Sequence, residues 1–256
     1  MTPALPHAFL TTPLAHRALH DVAHGRPENS RAAIRAAMAA GYGIEIDVQA
    51  SADQWAMVFH DYDMKRLTGQ AGAIGQVTAE QAGRIPLAGG DGETIPTLDE
   101  VLQIVGGKIP VLIEIKDQDG GMGPDVGPLE ADVARCLAGY DGPVAVMSFN
   151  PHSVAEMARL APDVPRGLTT DPYRPDEWPL PVETCERLRA IPDFDRVNAS
   201  FISHYAADLD RAEVQALKAR GVPVLCWTIR SAQDEAEARR IADNVTFEGY
   251  LAEIPA

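Results

Sequence analysis

Two short apolar runs decide how this sequence folds: GIEIDV at residues 43–48 and PVLIEIK at residues 110–116. Both are rich in Ile, Leu and Val, and in both the charged residues stand two positions apart. Side chains of a strand alternate between its two faces, so the charged residues of each run share one face and the apolar residues cover the other. Each run therefore predicts a strand that carries its charged groups on one side.

Similar β-type runs alternate with longer Ala-rich helical patterns along the chain. Eight strand candidates lie at residues 13–18, 43–48, 110–116, 143–149, 166–170, 197–203, 223–229 and 247–253. Seven helical patterns lie between them, at residues 30–41, 97–107, 127–140, 151–161, 182–190, 208–221 and 231–244. In a chain of 256 residues this alternation predicts an α/β fold, a (β/α)8 TIM barrel. A doubly wound open sheet shows the same alternation and stays open at this point.

One segment, residues 49–96, breaks the alternation. It holds a strand-like run, WAMVFHD at 55–61, followed by a Gly-rich stretch without a clear long helix. Glycines at this density mark turns rather than core elements. We interpret the segment as a small insertion after the second strand, within a single domain that spans residues 1–256.

The inserted run is predicted to fold back on the second strand as an antiparallel hairpin. Turn-forming residues at 53–54 separate the two runs, and a two-residue loop there fixes which residues face each other. In that register Asp47 faces His60. The next pair on the same side of the hairpin is Glu45 with Tyr62.

The charge balance excludes several classes of partner. The chain has 22 Lys and Arg against 37 Asp and Glu, a formal net charge of −15. Broad contact with nucleic acid or with an anionic membrane depends on clustered basic residues, so neither is expected. The sequence shows no secretory signal and no run of about 18 apolar residues, which predicts a cytoplasmic protein without stable membrane insertion. Association into a homo-oligomer stays open.

Polar residues gather where the first strands of the predicted barrel end, which is where barrel enzymes place their catalytic groups. They are His16, Arg17, Glu45, Asp47, Glu114 and Lys116, with His60 added by the hairpin. Three buried carboxylates that face one another are costly unless a cation lies between them, and Mg²⁺ and Ca²⁺ prefer oxygen ligands. The alternative is a salt-bridge layer without metal, in which Arg17 and Lys116 neutralise the acids.

Six short strings occur in order along the chain. They are HRA at 16–18, PENS at 27–30, IEIDV at 44–48, VFHD at 58–61, IPTLDEVL at 95–102 and IEIK at 113–116. Together they resemble the glycerophosphodiester phosphodiesterase family. The strings SF at 148–149, WT at 227–228 and GYLAE at 249–253 extend the similarity along nearly the whole chain. The resemblance implies a (β/α)8 barrel with a small insertion after the second strand.

This resemblance implies a role for each matched residue. The ligands of one divalent cation, Mg²⁺ or Ca²⁺, would be Glu45, Asp47 and Glu114. The catalytic histidines would be His16 and His60. The phosphate-contacting cations would be Arg17 and Lys116. The walls of the substrate pocket would include Phe149 and Trp227, for which ordinary core packing is the alternative.

The resemblance also implies an activity, the hydrolysis of glycerophosphodiesters to sn-glycerol 3-phosphate and an alcohol. In the reaction that the resemblance implies, the substrate's own 2-hydroxyl would attack first and give a cyclic phosphate that water would then open, with His16 as base and His60 as acid to the leaving group. Two alternatives stay open, lysophospholipase D-type activity on lysophospholipids and a non-catalytic phosphate-ester binding barrel. Lysophospholipids would need an apolar ramp, for which the Pro-rich loop at 171–181 is the candidate.

Two positions depart from the family pattern. Ala18 stands where Gly usually follows the His-Arg pair, and GYLAEIP at 249–255 stands where an Asp and a Pro usually follow the last strand. The unusual loop after Ala18 carries His20 and His24, which we expect to be solvated.

Overall fold

Eight of nine strands close into a parallel barrel in the computed structural model, which describes residues 2–255. The nine strands are β1 (Leu14–Ala15), β2 (Gly43–Ala50), β3 (Ala56–Val58), β4 (Val111–Ile115), β5 (Val144–Ser148), β6 (Arg166–Thr170), β7 (Phe201–Tyr205), β8 (Val224–Ile229) and β9 (Asn244–Phe247). The barrel closes because β1 pairs with both β2 and β9, whereas β3 pairs antiparallel with β2. The predicted (β/α)8 barrel is confirmed. Residues 1 and 256 of the predicted domain lie outside the described range.

Ten α-helices in the described range connect these strands. They are α1 (Ala8–Thr11), α2 (Arg31–Ala40), α3 (Lys65–Thr68), α4 (Ala79–Ala82), α5 (Leu98–Val105), α6 (Pro128–Leu137), α7 (Pro151–Leu160), α8 (Val182–Arg189), α9 (Ala212–Ala219) and α10 (Ala232–Ala238). Helix α2 and helices α5 to α10 occupy the seven predicted positions. Ser30 and Thr97 cap α2 and α5 by accepting backbone hydrogen bonds in the first turn. None of the helices between residues 2 and 255 is long and apolar enough to cross a membrane.

Two layers of side chains fill the barrel. The lower layer is apolar and includes Phe9, Leu14, Ala145, Phe201 and Leu225. The upper layer, toward the carboxyl ends of β2 and β4, contains Glu45, Asp47 and Glu114, all buried. The residues between these acids, such as Ile46 and Ile113, belong to the core between the barrel and its helices. The period of two along β2 and β4 thus turns the acids inward.

The insertion after β2 builds a small core of its own. Its members are Met57, Phe59, Met64, Leu67, Ile74, Ala82, Ile85, Leu87 and Ile95. Strand β3 and the short helices α3 and α4 contribute to it. Because β3 hydrogen-bonds only to β2 within the sheet, the segment extends the barrel wall without entering it.

The predicted register of the hairpin is wrong by one residue. Strands β2 and β3 are antiparallel, but Val48 pairs with Val58, so five residues, 51–55, connect the strands instead of two. Ser51 closes this loop, because its Oγ accepts a hydrogen bond from the Trp55 backbone N–H at 2.9 Å. The backbone N–H of Ser51 also donates to the Trp55 carbonyl at 3.0 Å, so both the backbone and a side chain close the loop.

This shift changes the residue that faces each acid. The backbone N–H of Phe59 donates to the Asp47 carbonyl, so Phe59 takes the place predicted for His60. Glu45 does not pair with Tyr62, because β2 and β3 pair only beyond Asp47. His60 follows the paired segment and reaches the barrel mouth from the loop after β3.

Two predicted strands are displaced along the chain. The predicted run at 197–203 starts too early, because Asn198 has a left-handed backbone (φ 50°) in the turn before β7. The predicted run at 247–253 starts where β9 ends, and Gly249 (φ 77°) turns the chain away after it. In β9 the residues of the barrel wall are instead Asn244 to Phe247.

Gly167 in β6 leaves the space that Phe201 fills. A Cβ atom added at Gly167 would lie 2.4 Å from the Phe201 ring, which is fully buried. We expect Gly167→Ala to lower the free energy of unfolding by about 1–3 kcal/mol, because overpacking displaces the ring. Urea denaturation measures this loss. Gly75→Ala is the control, since its new Cβ would make only an ordinary 3.6 Å contact; equal losses in both variants would contradict the packing argument.

Candidate active site

Three carboxylates meet inside the mouth of the barrel. Asp47 of β2 stands beside Glu114 of β4 in the parallel register, and Glu45 lies two residues before Asp47 on the same face. One oxygen from each lies within 4.8 Å of the others, and all three residues are buried. Within residues 2–255 they form the only such group of His, Cys, Asp or Glu residues.

Lys116 and Arg17 supply positive charge beside these acids. Lys116 Nζ lies 2.7 Å from Asp47 Oδ1 and also pairs with Glu114. Arg17 Nε lies 3.6 Å from Asp47 Oδ2. Burial alone would raise the pKa of Asp47, but Lys116 and the other positive groups around it hold that pKa well below its usual range. Asp47 is therefore an ionised carboxylate.

Glu45 forms no ion pair with any cation in the described part of the chain. Its Oε2 accepts one hydrogen bond, from the Arg17 backbone N–H at 3.0 Å, and the residue is only 2% exposed. Burial and the charges of Asp47 and Glu114 raise the pKa of Glu45 well above its usual range. A layer of salt bridges thus compensates two of the acids and leaves the third uncompensated. An all-oxygen donor set of this kind fits a hard divalent cation.

The His-Arg-Ala turn after β1 places a backbone donor against this cluster. Arg17 and Ala18 both have left-handed backbone, with φ of 51° and 63°. Left-handed geometry favours glycine, which explains why Gly is usual at the position of Ala18. Ala18 adopts this backbone at a cost in strain. The turn aims the Arg17 N–H at Glu45 and leads the guanidinium toward Asp47.

The PENS segment at residues 27–30 holds Arg17 and Asp47 in place by hydrogen bonds. Glu28 Oε1 accepts a hydrogen bond from Arg17 Nη1 at 2.8 Å, and Asn29 Nδ2 donates to Asp47 Oδ2 at 2.9 Å. Ser30 then caps α2. Glu28, Asn29 and Ser30 therefore hold the Arg17 guanidinium, the Asp47 carboxylate and helix α2 in fixed positions relative to one another.

A carboxylate at the end of β9 holds the first histidine. Glu248 Oε2 lies 2.5 Å from His16 Nδ1, and Arg230 pairs with Oε1 of the same carboxylate at 2.7 Å. The hydrogen bond from His16, with the His20 ring 3.7 Å away, holds the pKa of Glu248 well below its usual range. Burial lowers the pKa of His16, and Glu248 partly offsets this effect. His24 is exposed as expected, whereas His20 lies beside Glu248 with its side chain 27% exposed.

The second histidine is held in the same way from the insertion. His60 Nδ1 lies 2.7 Å from Asp61 Oδ1, and Asp61 in turn accepts hydrogen bonds from Arg66. Burial and the positive charge of Lys116 lower the pKa of His60 to about 4. His60 is therefore neutral in the free protein at neutral pH.

These groups surround one cavity of about 170 Å³ at the barrel mouth. Its charged and imidazole walls are His16, Arg17, Glu45, Asp47, His60, Glu114, Lys116 and Arg230. Its aromatic walls are Phe149 and Trp227, whose rings meet edge to face with centroids 5.5 Å apart. Every site residue expected from the sequence thus lines the same space, which we call the catalytic cavity.

The chain also matches a known family along most of its length. The model of the Glycerophosphoryl diester phosphodiesterase family matches residues 16–245. The chain belongs to this family. As the sequence predicts, it is an enzyme, a glycerophosphodiester phosphodiesterase.

Individual relatives agree with this assignment. Over 218 residues the chain is 28% identical to the glycerophosphodiester phosphodiesterase of Caldanaerobacter subterraneus subsp. tengcongensis, covering 81% of this chain and 82% of the relative. It is 27% identical to a Bacillus subtilis (strain 168) relative, covering 94% of each. Its fold is similar to that of an Oleispira antarctica phosphodiesterase solved with its product sn-glycerol-3-phosphate, with a TM-score of 0.75, 24% identity and 94% of each chain covered.

Several supporting residues of this family member were not predicted from the sequence. Glu28, Asn29 and Asp61 lie inside the strings PENS and VFHD, so the strings themselves contained the signal. Glu248 was hidden because the last strand was predicted to run from 247 to 253, which placed Glu248 within a strand instead of at its end.

Replacing the Glu248 carboxylate tests its hold on His16. Glu248 raises the pKa of His16 against burial, so we expect Glu248→Gln to lower that pKa further. An NMR titration of the His16 ring measures the change. Glu253→Gln alters an exposed acid in the same segment and serves as the control. An unchanged or higher His16 pKa in Glu248→Gln would contradict the assignment.

Proposed function

We propose that this phosphodiesterase converts glycerophosphodiesters to sn-glycerol 3-phosphate and an alcohol with the help of one divalent cation and two histidines. The observation that carries the proposal is the catalytic cavity of about 170 Å³, which is lined by three buried carboxylates and by two histidines, each held by a further carboxylate. Residues 1–256 would act as one domain, with the insertion at 49–96 supplying the second histidine.

Glu45, Asp47 and Glu114 would hold the cation. Their oxygens suit Mg²⁺ or Ca²⁺, and Glu45 is the acid that no cation among the described residues pairs with. When bound, such a cation neutralises negative charge that develops on the phosphoryl oxygens.

Arg17 and Lys116 would contact the phosphate directly. Arg17 Nε is buried and has no hydrogen-bond partner among the residues that the structure describes, so this N–H is available to a phosphate oxygen. Lys116 stands beside it on the same acid and lines the same cavity. Fixed donors in a partly buried site stabilise charge on the phosphoryl group without reorganising during the reaction.

The two histidines would move the protons. With Nδ1 of His16 bound to Glu248, its Nε2 remains to accept the proton of the substrate's 2-hydroxyl as that oxygen attacks phosphorus. His60 would give a proton to the departing alcohol oxygen, and the negative phosphate beside it would favour the protonated imidazole that this step needs. The resulting cyclic phosphate is opened by water, with the two histidines exchanging roles and returning to their starting protonation states.

The requirement for a cation is tested with glycerophosphocholine. We expect EDTA treatment to abolish its hydrolysis, and added Mg²⁺ or Ca²⁺ to restore it, because Glu45 then regains its counter-charge. Release of choline and of sn-glycerol 3-phosphate measures the reaction. Full activity in EDTA would contradict the metal proposal. A metal-loaded enzyme that binds glycerophosphodiesters without hydrolysing any of them would support the non-catalytic alternative.

Single substitutions test the two histidines. We expect His16→Ala and His60→Ala each to lower kcat by roughly 10²–10⁴-fold, the usual contribution of general acid–base catalysis. His24→Ala is the matched control, because its side chain is 73% exposed and lies outside the catalytic cavity. Circular dichroism checks that all three variants are folded. Near-normal turnover in either site variant would overturn its assigned role.

A further inference from the structure

A second, larger cavity opens beside the catalytic cavity. Its volume is about 980 Å³, and its walls come from the loop after β3, the loop after β4 and the Pro-rich loop at 171–181. His60, Glu114, Lys116 and Phe149 line both cavities, so the two spaces join at the second histidine. We call this space the side groove. Its volume is at the upper end of the range that holds drug-sized ligands.

The walls of the side groove are largely apolar. They include Tyr62, Ile115, Met122, Phe149 and Trp178. Trp178 is fixed by a hydrogen bond from its indole N–H to Asp171 and packs on Phe149, with ring centroids 5.1 Å apart. The Pro-rich loop therefore presents a fixed aromatic wall to the groove.

The acids of the side groove are already engaged by other groups. Asp61 binds His60 and Arg66, and Asp63 accepts hydrogen bonds from two backbone N–H groups. Asp117 accepts from the Met122 N–H and from the side chain of Asn150. The fourth acid, Glu114, pairs with Lys116. Each acid is thus held in place by groups of the protein, and most of the wall that the groove exposes is apolar, so an uncharged apolar group fits it.

We propose that the side groove binds the alcohol half of the substrate, and that this enzyme prefers glycerophosphodiesters whose alcohol is uncharged and carries an extended alkyl or aryl group. The inference rests on the proposed function, in which His60 protonates the leaving oxygen. Because His60 stands at the junction of the two cavities, an alcohol leaving past it enters the side groove. Glycerol and phosphate then occupy the catalytic cavity.

A series of n-alkyl esters of sn-glycerol 3-phosphate tests this preference. Burial of each methylene favours binding by about fourfold. We expect kcat/KM to rise about tenfold or more from the ethyl to the hexyl ester, a difference of four methylenes. Glycerophosphocholine is assayed beside them and is expected to fall below the hexyl ester.

Two variants locate the preference in the side groove. Met122→Asn replaces an apolar wall by an amide, and asparagine tolerates the left-handed backbone found there (φ 54°). Trp178→Ala removes the aromatic wall. We expect both to reduce the hexyl-to-ethyl ratio at least threefold. Trp55→Ala, which removes an exposed tryptophan outside both cavities, should leave the ratio unchanged.

The outcomes separate this inference from the function on which it rests. Hydrolysis of the ethyl ester and glycerophosphocholine with no gain for the hexyl ester would overturn the side-groove proposal and leave the proposed function intact. Faster hydrolysis of lysophosphatidylcholine than of the hexyl ester would place the apolar chain on the glycerol half and would also overturn it. Failure to hydrolyse any of these esters would reject both proposals.

Discussion

Burial of three carboxylates inside a barrel is the constraint on which the rest of this structure depends. Each acid alone would be driven toward its neutral form, and their mutual repulsion adds to that tendency. The surrounding groups offset this cost: Lys116 pairs with Asp47 and Glu114, and the side chain of Asn29 donates a hydrogen bond to Asp47 Oδ2. Among the described residues no cation pairs with Glu45, whose pKa is raised well above its usual range, and a bound cation would favour its ionised form.

The same local compensation resolves the conflict between a net charge of −15 and an anionic substrate. Long-range repulsion between exposed charges is screened within about 10 Å at ordinary ionic strength, whereas buried charges act at short range. Inside the mouth, Arg17 and Lys116, together with the cation that we propose, would attract a small phosphodiester at short range. The outer surface stays acidic and disfavours polyanions.

The sequence was most informative where geometry is periodic. The acids of β2 and β4 could be placed on one inward face because side chains alternate with a fixed period of two. The hairpin register could not be predicted, because turn-forming residues at 53–54 do not fix the loop length, and Ser51 and Trp55 close a five-residue loop by hydrogen bonds of backbone and side chain. Glu248 could not be linked to His16 either, since 232 residues separate them and only barrel closure brings β9 beside β1. Local sequence patterns thus predict the acids that line the cavity, whereas the residue that holds His16 follows only from the tertiary structure.

The origin of the side-groove walls has an evolutionary consequence. Three connecting segments form most of those walls, and the aromatic residue of the 171–181 loop takes no part in barrel closure or in the acid cluster. Loops tolerate substitution and insertion more readily than the strands they join. Descendants of this enzyme could therefore exchange one leaving alcohol for another by remodelling these segments, while the phosphoryl chemistry on the strands is inherited unchanged.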